Sequence, residues 1–273
     1  MCIELKLIEK KERKNNEYYC YDIKLDTEND EQLKKLASTV RKCYTKLEDL
    51  RDSLPTDCPL NTDIVKQIIN QRIPYWIDSR ESRFQVVRSE FGEIICRFVL
   101  EDCFNIDIHL SRLYNKERPL LNTRGIDVLG IKTNSEPILI LGEAKVSKDQ
   151  KSPPGVVSGS DGSCLEKKVP ELLDNTSVIK EELCYYIEHI DNEENRTKYI
   201  KMMIQLAKNP NNLAIIGVPF LLRDAECYTI SDVGELLDYE SSDRRKVRFI
   251  IVKIKKDVNN LSKKIYKIAR EGE

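Results

Sequence analysis

Histidine is scarce in this chain. Two imidazoles, His109 and His189, stand among 273 residues, which argues against a histidine-built metal site or a histidine-based triad. Cysteine is present but unpaired in pattern: nine residues, an odd number, with no CxxC spacing. That excludes a zinc ribbon and points to reduced, mostly buried thiols rather than a disulfide framework. A charge of one sign is missing too. With 45 Lys and Arg against 46 Asp and Glu the net charge is -1, so attraction to nucleic acid must come from local basic clusters. No apolar run approaches the roughly 20 residues of a membrane span. The opening MCIELKLIEKKERK lacks the apolar stretch of a secretory signal. A cytoplasmic protein with no membrane association is expected.

What is present is a chain with 40% hydrophobic and 33% charged residues, enough for a real core under a charge-rich surface. Residues 1–80 are predicted to form an accessory α+β region. CIELKLIE and YYCYDIKL alternate across KKERKNN and suggest a hairpin with one solvated face. Leu33, Leu36, Val40, Leu47 and Leu50 fall at helical spacing within residues 30–52 and are expected to pack in the core, with docking of a partner helix as the alternative. Pro55 and Pro59 mark a loop. NTDIVKQIINQR gives a second short helix capped by Asn61 or Thr62. Residues 81–273 are predicted to form the main domain: an apolar helix over 84–102, strands in DIHLSRLY, IDVLGIKT and PILILGEAK, and an exposed, mobile Gly/Ser/Pro-rich loop over 147–164. Helices over 169–190 and 193–208, strands in NNLAIIGVPFLL and KVRFIIVKI, and a basic terminal helix follow. The class is α/β, a mixed sheet flanked by helices.

One stretch concentrates charge where a strand should be buried: GIDVLGIKTNSEPILILGEAK. The tripeptide acid-x-Lys occurs seven times in the chain, so it means nothing alone. At Glu143 and Lys145 it follows PILIL, a run expected of a strand covered on both faces. Period-two geometry puts both side chains on one face, and a hairpin through TNSE brings Asp127 beside Glu143. Adjacent carboxylates repel and call for a cation; hard oxygen donors suit Mg²⁺. A neighbouring ammonium can offset charge developing on a phosphate. Glu4 with Asp22 and Lys24 makes a similar set, but on a hairpin that fits a surface better. The upstream helix carries Glu90 and Glu93 on one face of RSEFGEIICRF, either outward or toward the same site. The plain alternative for Asp127, Glu143 and Lys145 is a salt-bridged strand end.

These residues resemble the PD-(D/E)XK nuclease superfamily. Asp127 matches its strand acid, Glu143-Ala144-Lys145 its acid-x-Lys, and Glu93, with Glu90 as the alternative, its helix glutamate. Ile126 stands where the motif name has proline. RSEFGE, RGIDVLGI, LGEAK and the IIGVPF strand are further similar to the HamA family, nuclease subunits of Hachiman anti-phage defence systems. The resemblance implies a restriction-endonuclease-like mixed sheet and Mg²⁺, with Mn²⁺ as a substitute, held by Asp127, Glu143, Glu93 or Glu90 and the Ala144 carbonyl. It also implies Lys145 as the catalytic ammonium, DNA as substrate, and a superfamily-2 helicase as regulating partner. Two other functions remain open: an inactive nuclease-fold interaction subunit and a stand-alone restriction-type endonuclease.

Phosphate contacts need cations. Arg124, Lys132, Lys148, Lys151 and Arg88 are the candidates nearest the motif, each also readable as a solvated surface charge. The terminal helix offers Lys255, Lys256, Lys263, Lys264, Lys267 and Arg270, suited to a DNA backbone or an acidic partner.

Overall fold

The computed structural model describes residues 4–25, 29–45, 62–81, 84–121, 125–134, 136–160, 162–255 and 257–271. Leu47, Leu50, Pro55, Pro59, Asn61, Arg124 and Lys256 lie outside them, as does the side chain of Thr62.

Two strands open the chain, β1 (Glu4–Arg13) and β2 (Asn16–Lys24). Lys14 and Asn15 turn between them with φ of 50° and 64°, the doubly left-handed backbone that a two-residue hairpin requires. The helix α1 (Asp30–Tyr44) follows, its first turn capped by Asn29, which accepts from the Gln32 N–H at 3.1 Å. Asp30 and Glu31 at its start and Arg41 and Lys42 at its end complement the helix dipole. Next come α2 (Thr62–Arg72) and α3 (Val86–Phe104). The hairpin β3 (Val128–Lys132) and β4 (Ile138–Ser147) leads to α4 (Leu165–Asp174), α5 (Thr176–His189) and α6 (Glu193–Lys208). β5 (Ala214–Asp224), β6 (Arg245–Ile254) and α7 (Val258–Glu271) close the described chain.

All six strands form one sheet in the order β1-β2-β6-β5-β4-β3. The two outer pairs are antiparallel and the inner β2, β6, β5 and β4 run parallel. Seven helices flank this sheet among the described residues, the α/β arrangement expected. β5 shows why an apolar run reads as a doubly covered strand. Its Val218, Phe220 and Leu222 pack with Phe91, Ile94 and Ile265, while Ile215 and Leu221 face Leu165, Leu183 and Tyr199. No helix among the described residues is long and apolar enough to cross a membrane.

The stretch read as accessory is woven into this sheet: β2 pairs with β6, and α1 shares the core with α3 and α7. Asn16, fully buried, stitches the join by donating to the carbonyls of Leu237 and Tyr239 and accepting from the Val247 N–H. β2 therefore has both faces covered, Tyr18 and Cys20 on one and Tyr19 and Tyr21 on the other, and the expected solvated face is found on β1 instead. There Lys24 meets Glu4 in an exposed ion pair, so the second acid-and-lysine hairpin is a surface feature.

Three local expectations are corrected. DIHLSRLY is not a strand; Asp107 makes a single bridge to Ile131, and Arg112–Asn115 form a 3₁₀ turn. The helix expected over 169–190 is two helices, because the Asn175 side chain accepts from the N–H groups of Ser177 and Val178 and starts a new one. The loop 147–164 is strapped down rather than free: Ser152 reaches Asp232, and Arg223 holds the Lys151 carbonyl at 3.0 Å.

Candidate active site

The hairpin register pairs Val128 with Gly142, so Asp127 enters β3 directly across from Glu143. The entry is fixed by Gly125, whose φ of 101° suits glycine and whose missing side chain admits the ion pair Arg112–Glu182; a Cβ there would lie 2.4 Å from Glu182 Oε1. Glu182 also accepts from the Ile126 N–H. On the far side of β4, Gly92 lets α3 press close: a Cβ would stand 2.5 Å from Val146 Cγ2. That approach seats the next residue, Glu93, against the strand end. A cavity of about 400 Å³ results, lined by Arg88, Glu90, Glu93, Asp127, Glu143 and Lys145, with Ala144 in its wall and Gly155, Val156 and Ser163 from the strapped loop at its rim.

Within it, Asp127 Oδ2 accepts from the Ala144 N–H at 2.8 Å, and Glu143 Oε1 accepts from Lys145 Nζ at 2.9 Å. Glu143 Oε2 is buried and has no partner, an arrangement that costs free energy unless something else binds there. Burial, and then the charge of Glu143, push the Asp127 carboxyl up to about 8, against the opposing pull of Lys145. Burial and the charges of Asp127, Glu90 and Glu143 hold Glu93 well above the usual carboxylate range. Burial pulls the Lys145 ammonium down, but Glu143 and Asp127 outweigh it and leave the group raised. Acids crowded this way hold protons until a cation replaces them. Among the described residues no three His, Cys, Asp or Glu side chains converge as a preformed metal cage.

Glu90 shares the cavity wall but is closed. Its Oε1 accepts from Lys116 Nζ and its Oε2 from the Tyr44 hydroxyl, which also bonds Tyr266. Lys116 is 2% exposed, with its Nζ also donating to the Pro119 carbonyl. Of the expected phosphate contacts among the described residues, Arg88 alone reaches this cavity; it is buried, donates to the Val146 carbonyl at 2.8 Å and leaves its Nε unpartnered. Lys148 instead pairs with Asp257 at 3.5 Å and lines a neighbouring crevice beyond β5 and β6. Lys151 is exposed on the strapped loop. Lys132 sits at the opposite end of β3, five residues or about 17 Å from Asp127.

Sequence reasoning missed three supports. Lys116 lies in a polar loop that gave no hint of burial. Arg112 and Glu182 are separated by 70 residues. Arg223, completely buried at the end of the apolar run of β5, was the one with a visible signal: its Nε meets Asp232 at 2.9 Å and its guanidinium holds Ser147 and the Lys151 and Cys227 carbonyls. It fixes the chain immediately after Lys145.

Comparison with curated proteins gives no match. A family model described as HamA matches residues 2–269. Nearly the whole chain is covered, and the chain belongs to the HamA family.

Proposed function

We propose that this protein is a metal-dependent nuclease of the PD-(D/E)XK type that hydrolyses DNA phosphodiester bonds. In this reading it is the effector of a Hachiman anti-phage defence complex, regulated by a superfamily-2 helicase. One observation carries the chemistry: Asp127 and Glu143 face each other across a hairpin, with the Glu143 Oε2 atom buried and unpartnered beside Lys145.

The residues fit a divalent ion. Glu143 Oε2 offers a free hard donor, Asp127 faces it, and Glu93 approaches from α3. Mg²⁺ typically takes one or two carboxylates and keeps several waters, so a full protein cage is not needed; the Ala144 carbonyl completes the candidate ligands. The bound ion would supply Lewis-acid stabilisation of the phosphate and a more acidic water. Lys145, held as an ammonium by Glu143 and Asp127, orients the attacking water and offsets negative charge building on the phosphate oxygens. Arg88, anchored at the Val146 carbonyl, presents its remaining N–H toward an adjacent phosphate. Glu90, with both oxygens engaged, positions α3 rather than binding the ion.

Plasmid nicking with Mg²⁺ tests the reading. Lys145→Ala should lower the rate by about 10²–10³, as loss of a charge-stabilising donor does; undiminished nicking by that variant would remove the assignment. Copurification with a helicase whose presence silences cleavage tests the defence role, and a chain that purifies active and alone argues for a stand-alone endonuclease.

A further inference from the structure

Away from the acid cavity, α7 and the segment 73–81 enclose a second groove of about 520 Å³, lined by Tyr75, Trp76, Lys263, Lys267, Arg270 and Glu271. Lys263, Lys267 and Arg270 are spaced four and three apart and so share one face of α7, opposite the buried Leu261, Ile265 and Ala269. Arg270 lies 5.1 Å from the Tyr75 ring centre and donates to the Asn70 and Ile73 carbonyls. Lys263 lies 6.0 Å from the Trp76 ring centre, its ammonium also 2.6 Å from Asp78. Lys267 and Glu271 are 3.8 Å apart and both exposed, a pairing weak enough for a phosphate to replace. Tyr75 is 45% exposed. A single exposed ring is ordinary on a protein surface. The exposed Tyr75 ring and the half-buried Trp76 ring, facing Arg270 and Lys263 with Lys267 on the same helix face, combine stacking with phosphate pairing, the chemistry of single-strand binding.

The groove is tied to the acid cavity. Gln85, at the start of α3, donates to the carbonyls of Ile77 and Arg80 and accepts from the Ile77 N–H. It thereby straps the segment carrying Trp76 to the helix whose Arg88 and Ser89, one turn of about 5 Å further on, line the cavity.

We propose that this groove is a single-stranded nucleic-acid subsite, with bases stacking on Tyr75 and Trp76 and phosphates pairing with Lys263 and Lys267. It deepens the nuclease reading and rests on it for the strand's destination. Bases already stacked within a duplex cannot offer their faces to these rings, so an unpaired strand is the ligand.

Trp76 is the one tryptophan in the chain, so intrinsic fluorescence reports on this groove. Titrating the full chain with an oligothymidylate, in EDTA to prevent cleavage, should quench that fluorescence saturably. Substituting Lys263→Gln and Lys267→Gln together should flatten the salt dependence of log K by about 1.4, two single-strand phosphate contacts' worth, and Tyr75→Ala should weaken the quench with the reporter intact. Oligothymidylate binding that leaves Trp76 unchanged overturns the proposal. So does equal quenching by a blunt duplex, or by polyglutamate, which would instead indicate an acidic protein partner. The Lys145→Ala chain should quench normally in EDTA while nicking about 10²–10³ more slowly with Mg²⁺. Quenching absent from a chain that cleaves with Mg²⁺ removes the groove alone, whereas quenching intact in a chain that does not cleave with Mg²⁺ removes the nuclease reading alone.

Discussion

Two acid–lysine pairs place their glutamates on one cavity wall and behave as opposites. Glu90 and Lys116 are each 2% exposed, and every oxygen and the ammonium have partners. Glu143 and Lys145 are 7% and 24% exposed, and one Glu143 oxygen has none. The ingredients are identical; the coordination is not. A closed pair can hold α1, α3 and the loop before β3 together, but it offers nothing to a ligand. An open pair beside a second carboxylate, Asp127, carries a standing cost that a bound cation would relieve. Burial of charge alone thus does not tell the two pairs apart, whereas the unpartnered Glu143 oxygen does.

The largest effect should come from breaking the closed pair. Lys116→Met strands Glu90 in the core and should cost about 3–5 kcal/mol of stability by chemical denaturation. Glu90→Met added to it should recover much of that loss, since apolar replacement of a whole buried pair is often neutral. Lys145→Ala should do the reverse, losing activity by the factor given above while its melting temperature stays near that of the unchanged chain. Gly92→Ala should fall between, about 1–3 kcal/mol of overpacking against Val146, with metal affinity weakened as α3 lifts Glu93 away.

Acidity does not distinguish the two sites, because burial raises the Glu90 carboxyl to about 7 as well, but it tests the acid that faces the open pair. The Asp127 carboxyl is raised to about 8 from roughly 3.9 in an unfolded chain. The folded state therefore binds the extra proton between those values, and metal-free stability should fall as pH rises through that window. Melting curves in EDTA should show the decline, Asp127→Asn should flatten it, and Mg²⁺ should raise the melting temperature most at its alkaline end. The smallest effect is expected at Lys132, far along β3, where alanine should change stability by no more than about 0.5 kcal/mol and leave nicking unchanged.

Much of the open pair was legible because it depends on short-range geometry. A polar turn between two apolar runs sets the register, and the register puts Asp127 across from Glu143. The helix glutamates were visible as a pair, but which of them is closed depended on Lys116 and Tyr44, 26 and 46 residues away, and no periodicity encodes that. The same limit hid the place of the first hairpin. β2 pairs with a strand more than 220 residues later, and its mixed Tyr, Cys and Asp pattern looks half-solvated until β6 and both layers of helices cover it. DIHLSRLY, expected as a strand, differs for another reason: only Asp107 finds a ladder partner, on Ile131.

The most direct test of the open site is calorimetric titration of the full chain with Mn²⁺ at mildly alkaline pH, beside Asp127→Asn and Glu143→Gln. The account predicts saturable uptake by the unchanged chain that either substitution abolishes. Absence of uptake, or uptake that both variants retain, would contradict it.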